Sequence, residues 1–133
     1  MLYREGRLVT TAGVAVENGR YFLAQRKPGG ALSGRWEFPG GKCDQDDGSE
    51  PRCLVREFRE EFAVDISVHG EIGAVPFEHG AVELMLVAYG ISFHTPPTRL
   101  IEHVDSGWFS PEEMVALDLA ESDRRLIERV ILG

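Results

Sequence analysis

Apolar and polar positions alternate along the first third of the chain and change to a helical period in the middle. Val9, Ala12, Val14 and Val16 among small polar neighbours predict a strand over Leu8–Glu17. Asn18-Gly19 follows, a pair suited to a two-residue hairpin because both turn positions need positive φ. The return strand is expected over Tyr21–Gln25, a loop over Lys27–Gly34 around Pro28-Gly29-Gly30, and a short extended piece over Arg35–Phe38 ended by Pro39. Cys53, Leu54, Phe58 and Phe62 recur at helical spacing behind Pro51, which predicts a helix over Pro51–Phe62. Two long strands follow, near Asp65–Val75 and Val82–Phe93, with Glu78-His79-Gly80 between them. Residues 94–107 read as loop and Trp108-Phe109 as a final short strand. Ser110-Pro111-Glu112-Glu113 is a capping box, and a last helix is expected over Ser122–Leu132.

This order predicts an α/β (α+β) fold, a mixed sheet with helices packed on it, in one domain spanning residues 1–133. Apolar residues make up 43% of the 133 and charged residues 27%, enough for one core. The net charge of −8 argues against a protein that grips a nucleic-acid polymer, where Lys and Arg must neutralise phosphates. It leaves phosphate substrates open, since carboxylates bind them through a divalent metal. No apolar run approaches the ~20 residues of a membrane span, and the N-terminus lacks a secretory signal pattern, so the expected address is cytoplasmic. Cys43 and Cys53 have no CxxC spacing and are expected as free thiols.

Candidate chemistry concentrates between Gly40 and Val64. On a helix, Glu57, Glu60 and Glu61 stand at i, i+3 and i+4 and share one face, read as solvent-facing. Their mutual repulsion would be relieved by a hard divalent cation, and Arg56 is placed to orient the first carboxylate. A solvated acidic helix would show the same string. The Gly40-Gly41-Lys42 turn upstream shifts the balance, because glycine lets backbone approach a metal or phosphate without side-chain obstruction.

Here the sequence resembles the Nudix box, a glycine-led motif ending in R-E-U-x-E-E-x-G-U with U apolar. "EFPGGK" followed by "REFREEFAV" supplies Gly41, Arg56, Glu57, Phe58, Glu60, Glu61 and Val64. "FLAQRKPGGALSGRWEFPGGK" is similar to the MutT-type branch, and the resemblance extends over nearly the whole chain. It implies a Nudix-type mixed β-sheet sandwiched between helices. It implies hydrolysis of a nucleoside triphosphate to monophosphate and pyrophosphate, of an oxidised purine or a cytidine nucleotide. Mg²⁺ (or Mn²⁺) would be held by the Gly40 carbonyl, Glu57, Glu60, Glu61 and the loop residue Glu102, with Glu57 or Glu102 as general base. Arg26, Phe38 and Asp123 match positions that contact the nucleotide, with Glu121 the rival of Asp123 if the register slips. The implied partner is a small-molecule nucleotide, with no nucleic-acid polymer and no membrane, on a monomer or homodimer.

Two positions depart from the box. Its isolated Glu falls on Gly48, so that either Asp47 or Asp46 takes over or the accessory carboxylate is missing, and its late Gly is Ala63. If Ala63 ends the helix at positive φ, it costs about 1 kcal/mol. His79 and His103 read as surface residues, and Trp36 and Trp108 as structural. The alternatives are an ADP-ribose or dinucleoside polyphosphate pyrophosphatase, and a Nudix-fold domain that binds a nucleotide without cleaving it.

Overall fold

The computed structural model describes residues 2–30 and 33–133. Two residues of the expected 27–34 loop, 31 and 32, lie outside the described residues. The strands are β1 (Tyr3–Arg4), β2 (Arg7–Val14), β3 (Val16–Glu17), β4 (Arg20–Arg26), β5 (Trp36–Glu37), β6 (Gly40–Lys42), β7 (Ile66–His79), β8 (Val82–Phe93) and β9 (His103–Phe109). The helices are α1 (Glu50–Phe62), α2 (Pro111–Val115) and α3 (Glu121–Leu126), the last continuing as a π turn through Ile131.

A five-stranded sheet has the order β1-β2-β8-β7, with β6 also on β2. It is mixed: β2 runs parallel to β8 and antiparallel to β1 and β6. A second, four-stranded sheet is built on β4, which pairs with β3, β5 and β9. The central strands of the first sheet, β2 and β8, are buried on both faces. Along β8, Met85, Val87, Tyr89 and Ile91 point into one cluster with Phe58 and Phe62 of α1. The intervening Leu86 and Ala88 point into another with Leu126 and Ile127 behind it. Strand alternation thus produces two cores from one apolar run, and helices cover both. A Cβ on Gly13 of β2 would lie 2.7 Å from the Phe58 ring, so this glycine sets how closely α1 approaches the sheet.

The mixed sheet between helices, the Asn18-Gly19 hairpin with both residues at positive φ, and the Ser110 capping box agree with the sequence reading. Four details differ. The expected strand Leu8–Glu17 breaks at Ala15 into β2 and β3, which belong to different sheets; alternation runs through the break unchanged and could not mark it. Gly40–Lys42, expected as a turn, is a strand held by β2. β9 begins at His103 and not at Trp108. Asp105, Ser106 and Gly107 have weak strand propensity, and pairing along the whole of β4 overrides it. Cys43 and Cys53, expected as free thiols, are disulfide-bonded with Cα atoms 5.3 Å apart, within reach of a bridge. The physical reason is tertiary: the end of β6 packs on the first turn of α1. Among the described residues, no helix is long and apolar enough to cross a membrane.

Candidate active site

α1 begins where Ser49 accepts from the Arg52 N–H at 3.3 Å and ends where Ala63 turns left-handed at φ 53°, ψ 42°. Between these ends, Phe58 and Phe62 anchor one side to the core, and the adjacent side turns its carboxylates to a cleft of about 750 Å³. That volume suits a nucleotide-sized ligand. β6 forms the facing edge. A Cβ on Gly41 would lie 2.5 Å from the Glu57 carboxyl carbon, and one on Gly40 would collide with the Thr11 carbonyl. Both positions therefore require glycine for backbone and carboxylate to meet.

The three helix glutamates are not equivalent. Glu60 is exposed, its side chain 57% accessible. Glu61, expected on a solvent-facing stripe, is buried, with its side chain 8% accessible. The cause is tertiary: β5 and β9 flank β4, and together with α1 they close over the Glu61 carboxylate. Burial, with Glu37 and Glu57 nearby, pushes the Glu61 carboxyl well above the usual range. Glu57 is raised too, chiefly by burial, although Arg56 opposes the shift. Glu61 Oε2 is buried with no hydrogen-bond partner.

Arg56 organises the exposed side of this group. Its guanidinium lies 3.1 Å from both Glu57 and Glu60 and donates to the Asp47 oxygens at 2.7 and 2.9 Å. Asp47, its pKa lowered by the hydrogen bonds from Arg56, is anchored further by the Asp44 N–H. Glu102 lines the same cleft from the loop before β9, as do Gly40 and Arg26. Arg26 donates to both oxygens of Glu37 at 3.2 and 3.3 Å. At the opposite end, Phe38 is buried, and its N–H donates to Asp123 Oδ1 at 2.9 Å. Burial, then Glu37, raises the Asp123 pKa well above normal. Glu121 is also at the cleft but is exposed, so geometry favours Asp123 as the inward acid of this helix.

His103 was expected on the surface and is buried instead. Its Nε2 lies 2.9 Å from Glu37 and 3.7 Å from Glu61, and its ring stacks on Phe62 at 5.3 Å. Glu37, Glu61 and His103 offer ligand atoms within 4.8 Å of one another, a donor set able to hold a divalent metal. His79 closes β7 and lies at the cleft rim. Trp36 packs on Phe109, and Trp108 on Phe22 and Phe93, as structural residues.

A profile of the NUDIX domain matches residues 11–129. The chain belongs to the Nudix family. Among its relatives is the CTP pyrophosphohydrolase of Escherichia coli, 32% identical over 117 residues, covering 88% of this chain and 86% of the relative. The solution structure of the E. coli ORF135 protein superposes with a TM-score of 0.81 at 32% identity, covering 92% of this chain and 86% of that one. The crystal structure of the MutT protein from Methanosarcina mazei Go1 shares the fold, with a TM-score of 0.82 at 24% identity, 92% of this chain and 91% of that one. The crystal structure of a MutT NUDIX hydrolase from Burkholderia pseudomallei superposes with a TM-score of 0.79 at 26% identity, covering 95% of this chain and 99% of that one, which places the Nudix chain in the MutT-type branch.

Within this Nudix domain the two departures from the box have structural answers. Asp47, one residue before Gly48, places a carboxylate against Arg56. Ala63 adopts the left-handed conformation that the box gives to glycine. The sequence reading missed Glu37. Its partners Arg26 and His103 are 11 and 66 residues away, and no local spacing joins them.

Proposed function

We propose that this chain hydrolyses a nucleoside triphosphate to the monophosphate and pyrophosphate with Mg²⁺ or Mn²⁺, with cytidine nucleotides the first substrates to test. One observation carries the reading. A single cleft joins a carboxylate-lined end at α1 and β6 to an apolar end at Phe38, where a buried acid, Asp123, is held by the Phe38 N–H. The polar end suits a metal-bound polyphosphate and the apolar end a base.

The residues present fit a hard divalent cation. The glycine edge leaves room for backbone and Glu57 together, and Glu61 Oε2 is a buried oxygen without a partner. Glu57, Glu60, Glu61, Glu102 and the Gly40 carbonyl would hold it. When bound, the metal neutralises phosphate oxygens and favours loss of a proton from water. Arg56 holds Glu57 and Glu60 in orientation, and Asp47 holds Arg56. Water attacks a phosphorus of the anhydride bridge, its proton passes to Glu57 or Glu102, and pyrophosphate leaves. Arg26 steadies the nucleotide, Phe38 packs on the base, and Asp123 pairs with its edge. Likeness to the E. coli CTP pyrophosphohydrolase supports cytidine. The reading includes a cytoplasmic address and a monomer or homodimer acting on free nucleotide.

The experiment is a nucleotide panel with Mg²⁺ (CTP, dCTP, 8-oxo-dGTP, the common triphosphates, ADP-ribose and a dinucleoside polyphosphate), scored for phosphate and pyrophosphate. Pyrophosphate from a triphosphate, fastest with a cytidine nucleotide, is the expected result. Cleavage of ADP-ribose alone would move the assignment to that substrate class, and tight binding without turnover would make the chain a nucleotide sensor.

A further inference from the structure

β6 and α1 meet along a seam that has the carboxylate site at one end and both cysteines of the chain at the other. At the site end, a Cβ on Gly41 would lie 2.5 Å from the Glu57 carboxyl carbon. At the other, Cys43, the residue after β6, is bonded to Cys53 in the first turn of α1, with Cα atoms 5.3 Å apart. Glu57 stands one helical turn beyond Cys53 and shares its side of the helix. The bridge also closes the loop that carries Asp47, whose oxygens accept from Arg56 at 2.7 and 2.9 Å.

The bridge touches the strand that presents the site. Both cysteines are buried, Cys43 1% and Cys53 0% exposed, in the cluster that holds Val9, Leu54 and Phe58. Cys53 Sγ lies 3.7 Å from the Gly41 carbonyl oxygen and 3.6 Å from Thr11 Oγ1, and that hydroxyl donates to the same carbonyl at 3.2 Å. Two sulfurs that share no bond stand at ordinary contact distance, roughly 3.5–4 Å. A packed interior has no void to take up that separation. Opening the bridge therefore drives Cys53 against Gly41 and Thr11, or moves β6 away from α1. Either shift alters the distance between the glycine edge and Glu57, and a displacement of about 1 Å at a reacting site can cost about 10²-fold.

Resting on the proposed metal-dependent reading, we infer that the Cys43–Cys53 pair is a redox-modifiable site that sets the metal affinity of this seam, high when bridged and low as two thiols. The reductant is a dithiol. Its thiolate attacks one cysteine sulfur, the S–S bond breaks, and its second thiol resolves the mixed disulfide. Two electrons and two protons pass to Cys43 and Cys53, which become thiols, and the reductant leaves as its own disulfide. At the cytoplasmic address proposed above, a bridge of this kind is made and broken, unlike the permanent bridges of secreted domains. Because both sulfurs are buried, attack requires the seam to open first. The coupling is reciprocal. A cation held between the Gly40 carbonyl of β6 and the glutamates of α1 closes the same seam and protects the bridge.

Mn²⁺ titrated into the nucleotide-free protein in its two redox states, with free Mn²⁺ read from its EPR signal, tests this without turnover. The dithiol state is prepared with dithiothreitol and freed of it by anaerobic gel filtration, and thiol counting on denatured samples verifies both states. The dithiol state is expected to bind Mn²⁺ about tenfold more weakly, as loss of a supporting interaction does, and reoxidation should restore the affinity. By reciprocity, saturating Mg²⁺ should shift the equilibrium with dithiothreitol toward the bridge by the same tenfold, about 30 mV for a two-electron couple. The double variant Cys43→Ala, Cys53→Ala should match the dithiol state and ignore the reductant; should it fail to fold, the wild-type comparison decides. Equal Mn²⁺ affinity in the two states overturns the inference, as does a protein that still carries two thiols after oxidation. Loss of helical circular dichroism on reduction overturns it too, since the bridge would then hold the fold and not the site. A bridged protein that binds Mn²⁺ yet cleaves no nucleotide refutes the proposed function and leaves the redox comparison standing.

Discussion

The two ends of the cleft each bury a carboxylic acid, and they treat it differently. At the base end, Asp123 receives a backbone N–H from Phe38 at 2.9 Å, with the Ser122 hydroxyl near its other oxygen. At the α1 end, Glu61 sits among Glu37 and Glu57 with one oxygen unpartnered. A buried polar group left unpaired costs about 1–3 kcal/mol, and like charges add to that. The first acid is satisfied by the protein's own backbone and a neighbouring hydroxyl. The second end leaves Glu61 Oε2 unpartnered among acids, an arrangement able to take a divalent cation.

The largest expected effect breaks the metal end. Glu61→Gln should lower kcat by about 10²–10⁴-fold, from several kcal/mol of lost charge stabilisation at 1.4 kcal/mol per decade. Glu60→Gln should also remove most activity, with the smaller loss of the two because Glu60 is exposed. Initial rates across a Mg²⁺ series measure both. Near wild-type turnover in the pair would place the metal elsewhere.

At the base end, Asp123→Ala should lower kcat/KM for the preferred nucleotide by roughly tenfold to a hundredfold and affect a poor nucleotide much less. Arg26→Ala should instead weaken several nucleotides together. The contrast between the ends also has a pH signature. The folded-state pKa of Asp123 is raised by burial and by Glu37, so its contribution is fully present below about pH 3.9 and is lost as pH rises toward the folded value. Asp123→Asn removes that titration and can still accept from Phe38. Thermal unfolding of the two proteins should therefore diverge as pH rises above about 4, with the wild type losing relative stability. A pH-independent difference would mean that Asp123 titrates normally.

Smaller effects sharpen the account of the altered box. Asp47→Ala frees Arg56 from its anchor and should reduce kcat/KM by about tenfold with the helix intact, as loss of a supporting partner does. Unchanged kinetics would show that Glu57, Glu60 and the Lys42 carbonyl hold Arg56 without Asp47. Ala63→Gly relieves a non-glycine residue at φ 53° and should stabilise the protein by up to about 1 kcal/mol in thermal unfolding. Clear destabilisation would contradict the left-handed cap.

Elements with a local cause were legible in the sequence. α1 has its apolar period, the hairpin has Asn18-Gly19, and α2 has its capping box, each a short-range preference that tertiary structure had no reason to override. Arg56, Glu57, Glu60 and Glu61 were legible for the same reason, since their geometry is that of one helix. Phe38, Asp123 and Glu102 were placed at the cleft by resemblance and not by physics, and the structure brings them there.

Tertiary structure alone decided which of those acids is buried. Helical spacing puts Glu60 and Glu61 a single residue apart and says nothing of β5 and β9 closing over one of them. It also decided that His103 begins a strand, that Glu37 joins Arg26 to His103, and that Cys43 meets Cys53. Each of these depends on strand pairings and packing between residues distant in sequence. Side-chain periodicity records which face of a strand or helix is apolar, but it carries no information about which other element arrives to cover that face.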